Sequence, residues 1–251
     1  MTMFALIHGS GDGGWAWHLV RRALRERGHE ALAPDLPTDR DGATWDDCVD
    51  VFAAAAAGAE DLVVVGHSSG GFLVPLVAER LDASLQVFLT AMVPRPGESG
   101  IEWFADVGWE RAVAELAAAD GGLTGNPDPL IAFYHDVPPA LAGEALARQR
   151  PTGGGLGEAA WPSHALPGIA ARYVVATRDR FIPPAVQRRV ASERLGITGP
   201  DEIDAGHCAA LSRPEELADL LAGYVDRAEP GAGPGGSRAT RAPAVPRRTP
   251  G

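Results

Sequence analysis

The sequence contains no lysine: all 22 basic residues are arginine, against 33 acidic ones, for a formal net charge of −11. The missing lysine reads as a compositional bias of the source. The negative balance argues against a nucleic-acid binder, because phosphate contacts need basic patches. Cysteine is scarce too. Cys48 and Cys208 stand far apart, and two such residues make neither a disulfide framework nor a metal-ligand cluster. No apolar run approaches the roughly 20 residues that span a bilayer, so no membrane partner is expected. No charged n-region precedes Met3-Phe4-Ala5-Leu6-Ile7, so no secretory signal is expected and a cytoplasmic location is the default. What is there is a chain of 251 residues, 45% hydrophobic and 22% charged. That is enough for one large domain or two small ones around a sizeable core.

One stretch organises the rest. Leu62-Val63-Val64-Val65 is a short continuous apolar run, the pattern of a buried parallel strand. It ends in Gly66-His67-Ser68-Ser69-Gly70, a G-x-S-x-G pattern, and a helix is expected to run on from Ser69 through Ala78. Glycines two before and two after Ser68 permit a sharp turn and a close approach of strand and helix. A serine there projects its hydroxyl above the sheet edge, as in a nucleophile elbow.

Strands are also expected at Met3–Ile7, His29–Ala33, Leu85–Leu89, Ala171–Ala176 and near Gly199–Ile203. Helical spacing occupies Trp15–Arg27, the stretch from Thr44 to Gly58 with Thr44 as N-cap, Pro184–Leu195 and Pro214–Arg227. Alternating strands and helices predict a parallel α/β sheet. From 94 to 167 the pattern changes to helical fragments around Trp109–Ala119 and Pro139–Arg150, separated by Gly/Pro/Asp stretches. The chain therefore divides into a core at 1–93 and 168–227, a helical insert at 94–167 after the fourth strand, and a Gly/Pro/Ala/Arg-rich tail at 228–251. The tail lacks periodicity and is expected to be disordered.

A serine hydroxyl is a weak nucleophile and needs a base. Of seven histidines, His207 follows the last expected strand, where a loop returns to the C-terminal edge of the sheet. His67 adjoins Ser68 and is read as packing. The base needs an acid to fix its tautomer. Asp179 follows the strand ending at Ala176, giving the order Ser68, Asp179, His207. Asp204 competes and is read as a turn acid. An oxyanion needs two donors. The Ser69 N–H is one, and the Ser10 N–H in His8-Gly9-Ser10-Gly11 is the other.

These residues carry a resemblance. His8 through Trp17, Gly66 through Gly71, Asp179-Arg180-Phe181-Ile182-Pro183-Pro184 and Gly206-His207-Cys208 resemble the α/β-hydrolase superfamily. More narrowly, they resemble the branch of plant methylesterases and hydroxynitrile lyases. The resemblance covers about 3–226 and implies an α/β-hydrolase fold with a mostly parallel six-stranded sheet flanked by helices. It also implies a Ser68–His207–Asp179 triad, a helical lid at the insert, and no cofactor or metal. The lyases carry a lysine after the histidine and a threonine in the oxyanion loop, where this chain has Cys208 and Gly9. Without that cation a cyanide leaving group is hard to stabilise.

The expected substrate is a small-molecule ester, contacted by Gly9 and by the insert aromatics Trp103, Trp109 and Phe133. A lactonase, cyclase or lyase of a biosynthetic pathway would use the same triad. A non-catalytic small-molecule binder is the reading from another class, and a homodimer is among the assemblies allowed. Dehalogenation would need a carboxylate at the elbow.

Overall fold

The structure is a computed structural model that describes residues 1–152 and 155–226. The tail expected at 228–251 lies outside the described residues. Six strands, β1 (Met3–Ile7), β2 (Glu30–Leu32), β3 (Leu62–His67), β4 (Leu85–Leu89), β5 (Ala171–Ala176) and β6 (Asp201–Ile203), form one sheet. Their order is β2-β1-β3-β4-β5-β6, and every pairing is parallel. The helices are α1 (His18–Glu26), α2 (Trp45–Ala55), α3 (Val74–Arg80), α4 (Gly100–Asp106), α5 (Trp109–Asp120), α6 (Pro129–Ala132), α7 (Pro139–Ala147), α8 (Pro184–Leu195), α9 (Ala209–Ser212) and α10 (Pro214–Asp226).

Strand side chains alternate between the two faces, and this splits the core. Phe4, Leu6, Val63, Val65, Val87 and Leu89 pack with Val20 and Leu24 of α1 and Leu217 and Leu221 of α10. Ala5, Ile7, Val64 and Phe88 face the other way, onto Phe52 of α2, Val77 of α3 and Val186 of α8. Burying one such Val, Leu or Phe contributes about 1.5–3 kcal/mol. With both faces covered, β3 is apolar throughout its first four residues and has no alternating pattern. Among the described residues no helix is long and apolar enough to cross a membrane.

Local capping follows the sequence at α2. The Thr44 hydroxyl accepts from the Asp47 N–H at 3.1 Å, and the Asp47 carboxylate accepts from the Thr44 N–H at 2.9 Å. The segment after β3 differs from the expectation of one helix from Ser69. Ser68–Phe72 is a 3₁₀ turn, and α3 begins only at Val74. Gly70 and Gly71 are poor α-formers, and Pro75 has no N–H to return to the preceding turn. A 3₁₀ turn, Gly14–Trp17, likewise precedes α1.

Helices α4 to α7 lie in the segment 94–167. Tryptophan N–H groups fasten this segment to the core: Trp161 to the Phe72 carbonyl at 2.9 Å, Trp103 to Val93 at 3.1 Å and Trp109 to Phe181 at 2.6 Å. Glu98 and Arg194 form a buried ion pair across the same junction.

Candidate active site

The parallel register sets the C-terminal ends of the central strands side by side. Ile7 pairs with Gly66, and His67 pairs with Leu89. The loops after β1, β3 and β4 therefore meet at one edge, where open α/β sheets place their sites. Ser68 sits on the corner between β3 and its 3₁₀ turn with φ of 53°, in the left-handed region. That conformation costs a non-glycine residue about 1–3 kcal/mol and persists only where the surroundings impose it. Here they do. A Cβ on Gly66 would run into the Val74 side chain, and one on Gly70 would lie 2.6 Å from the His8 carbonyl. Both glycines of the motif are required by close approach.

The loops after β5 and β6 are joined by backbone bonds from Thr177 to Ile203 at 3.0 Å and from Arg178 to Ala205 at 2.9 Å. They carry Asp179 and His207, both buried. His207 Nδ1 donates to Asp179 Oδ2 at 2.8 Å, which leaves Nε2 unprotonated on a neutral ring. The Asp179 carboxylate has four further donors. Phe181 and Ile182 N–H groups reach Oδ1 at 2.7 and 3.0 Å, and the Thr90 hydroxyl and Gln187 Nε2 reach Oδ2, the latter at 3.1 Å. Burial alone would raise this carboxyl's pKa. The hydrogen bonds, with the charge of His207 once it is protonated, outweigh burial and hold it below the usual carboxylate range.

Asp204, the competing acid, is instead exposed and pairs with Arg178 Nε at 3.0 Å. The insert reaches the same loops. Asp136 accepts from the Gly206 N–H at 2.8 Å, and His135 Nε2 donates to the Arg178 carbonyl at 3.0 Å.

In the loop after β1, His8 Nδ1 donates to the Gly9 carbonyl at 2.8 Å and Nε2 accepts from the Leu36 N–H at 3.0 Å. Both ring nitrogens are engaged, so His8 is a neutral strut. Burial pushes its pKa down. The Ser10 N–H donates to the Ser69 hydroxyl at 2.8 Å.

Ser68, His207, Gly9, Ser10 and Phe133 line one cavity of about 270 Å³. Asp12, Tyr134, Phe181 and Cys208 line it as well. The Ser68 hydroxyl makes no hydrogen bond among the described residues. Apolar burial pushes the Cys208 thiol's pKa up, so it stays protonated. His67 is more than packing. Its Nε2 donates to the His207 carbonyl at 2.9 Å, and its ring lies 4.7 Å from that of His207. Burial depresses its pKa to about 3.

Trp103 and Trp109, expected to contact substrate, do not line this cavity. Trp103 is fully buried in the main core, and the Trp109 ring packs on Phe104 and Phe181. Their N–H groups need partners away from water, and backbone carbonyls in the junction supply them. A second cavity of about 280 Å³ lies beyond Gly9 and Ser10, lined by Trp45, Phe72, Leu73, Met92 and Ile101.

The sequence reading missed Thr90 and Gln187. Gln187 sits among Val186, Val190 and Ala191 on the buried side of α8, and a polar residue on an apolar face is the signal that could have found it. Thr90 follows β4 with φ of 39°, a conformation no sequence pattern marks.

A parallel sheet with helices on both faces, a serine on a strained strand–turn corner and a His–Asp pair on later strand ends define an α/β hydrolase. The comparisons agree. The alpha/beta hydrolase family profile matches residues 4–220, and the chain belongs to that family. Esterase PIR7B from Oryza sativa subsp. japonica is 30% identical over 90% of this chain and 96% of its own length. Norfluorocurarine synthase 1 from Strychnos nux-vomica is 26% identical over 89% of this chain and 95% of its own. Among solved structures, polyneuridine aldehyde esterase superposes with a TM-score of 0.72 at 22% identity, covering 90% of this chain and all of that one (100%).

Proposed function

We propose that the protein is a serine carboxylic-ester hydrolase acting on a small ester. Ser68 Oγ attacks the ester carbonyl while His207 Nε2 takes the hydroxyl proton. Asp179 holds the ring and stabilises the imidazolium. The carbonyl oxygen, now anionic, lies on the Ser10 and Ser69 N–H groups. Collapse breaks the bond to the alcohol, which leaves with the proton from His207. Water then repeats the attack on the acyl-Ser68, releasing the acid and restoring the hydroxyl. Helices α4 to α7 act as the lid, placing Phe133 and Tyr134 against the reacting atoms. The observation that carries this reading is the buried bond from His207 to Asp179. It fixes the tautomer whose free nitrogen can accept a proton in the cavity that holds Ser68.

The test is Ser68→Ala against short p-nitrophenyl esters, with a fluorophosphonate probe on the unsubstituted protein. Activity should fall by at least about 10³-fold, and the probe should label Ser68. Full activity in the variant sinks the assignment. Absence of labelling favours a small-molecule binder. The relatives named norfluorocurarine synthase support a second reading, a biosynthetic role for the same machinery. Product analysis separates the two: a single acid and alcohol from simple esters supports the hydrolase.

A further inference from the structure

Asp12 is the unexplained group in the cavity. It follows the loop that carries Gly9 and Ser10, and its backbone N–H closes a turn on the Gly9 carbonyl at 3.3 Å. Its carboxyl forms no hydrogen bond or ion pair with any described residue. No arginine is among the described residues lining the cavity, and those on the surrounding loops and insert are engaged elsewhere. Arg150 bonds the Leu36 carbonyl and Asp39, and Arg148 bonds Glu144 and lies over the Trp15 ring. Arg180 bonds the Ile131 carbonyl, and Arg178 pairs with Asp136 and Asp204. The other titratable groups lining the cavity are His67, Tyr134, His207 and Cys208. Burial holds three of these uncharged: His67 is deprotonated, and the Tyr134 phenol and Cys208 thiol stay protonated. Burial also raises the Asp12 pKa to about 6, against the opposing pull of His207. A half-buried carboxylate without a cation is costly, and a ligand can supply what the chain does not.

The walls match that need. The Phe133 and Phe181 ring centroids are 4.8 Å apart, and both lie near the His207 ring, at 5.4 and 5.1 Å and interplanar angles of 70° and 79°. Aromatic rings beside one carboxylate are surroundings that favour a cationic nitrogen over a neutral group of the same shape. We propose that Asp12, with Phe133, Tyr134 and Phe181, forms a binding site for a quaternary or protonated amine. Under the hydrolase reading, which this placement extends, the site takes the leaving-group side. His207 delivers the proton to the departing oxygen, and the two phenylalanine rings of the site lie against the His207 ring.

The experiment compares choline with its neutral isostere 3,3-dimethylbutan-1-ol, binding to the full chain at pH 7.5, by calorimetry or ligand-observed NMR. Choline should bind at least about tenfold tighter, a difference of about 1.4 kcal/mol. Asp12→Asn should remove that preference while moving the neutral alcohol less than twofold. Equal affinities in the unsubstituted protein overturn the proposal without any variant. So does a choline preference that survives Asp12→Asn. A third overturning result is a variant slowed on neutral esters with choline binding intact, which would mean that Asp12 acts on His207. Binding is read without turnover, so a protein that binds choline selectively and cleaves no ester keeps this inference and loses the hydrolase.

Discussion

The Ser10 N–H donates to the Ser69 hydroxyl across 2.8 Å. One of the two amides proposed to hold the oxyanion is thus engaged by the side chain of the residue that supplies the other. A substrate carbonyl must displace that hydroxyl, and a neutral hydrogen bond of this kind contributes about 0.5–1.5 kcal/mol. Ser69→Ala leaves both backbone amides in place and removes the competitor. Its kcat/KM for a short p-nitrophenyl ester should rise by roughly two- to tenfold. A tenfold fall would mean that the hydroxyl turns to donate to the oxyanion.

Thr90 and Gln187 act through Asp179. Thr90→Val keeps the shape and removes one donor from a buried carboxylate, at a cost of about 1–3 kcal/mol in stability. Gln187→Leu removes more, because its amide also bonds the Ala176 N–H at 2.9 Å and the Ile182 carbonyl at 2.7 Å. A purely structural role would lower stability alone. A positioning role also moves the pH profile. Relieved of one donor, the carboxylate holds the imidazolium proton more tightly, so the acid limb of kcat/KM against pH should shift upward in Thr90→Val. An acid limb that stays put while the urea midpoint drops would reduce Thr90 to a structural bond.

The strands were legible because their physics is local. Leu85–Leu89 and Ala171–Ala176 are short, mostly apolar stretches, and β4 and β5 occupy those residues. Pro184 opens and Gly196 closes α8 in the same local way. The positions of Ser68, Asp179 and His207 followed from strand ends, since a parallel sheet gathers its C-terminal loops at one edge. What stayed hidden depends on contacts distant in sequence. Trp103 looked like a pocket aromatic, but its ring faces the core beside Arg194. His67 looked like packing because its partner, the His207 carbonyl, lies 140 residues away. Periodicity predicts α-helix directly after Ser68 because it carries no trace of how closely the His8 carbonyl approaches Gly70.

His67 makes stability depend on acid. Its pKa is about 3 in the folded protein, against roughly 6.5 in an unfolded chain. Above that unfolded value both states are neutral at this ring, and the fold is unaffected. As pH falls through 6.5 the unfolded chain takes up a proton that the buried ring refuses, so stability declines by up to about 1.4 kcal/mol per pH unit until about pH 3. His8 adds a second loss of the same sign. Asp12, whose pKa is raised to about 6, opposes both, because there the folded protein binds the extra proton. The difference between the unsubstituted protein and His67→Gln isolates one proton from this sum. Urea midpoints measured from pH 8 to pH 4.5 should fall less steeply in the variant, whose amide can still donate to the His207 carbonyl. Parallel curves for the two proteins would show that His67 is protonated in the fold, and that its bond to His207 survives the charge.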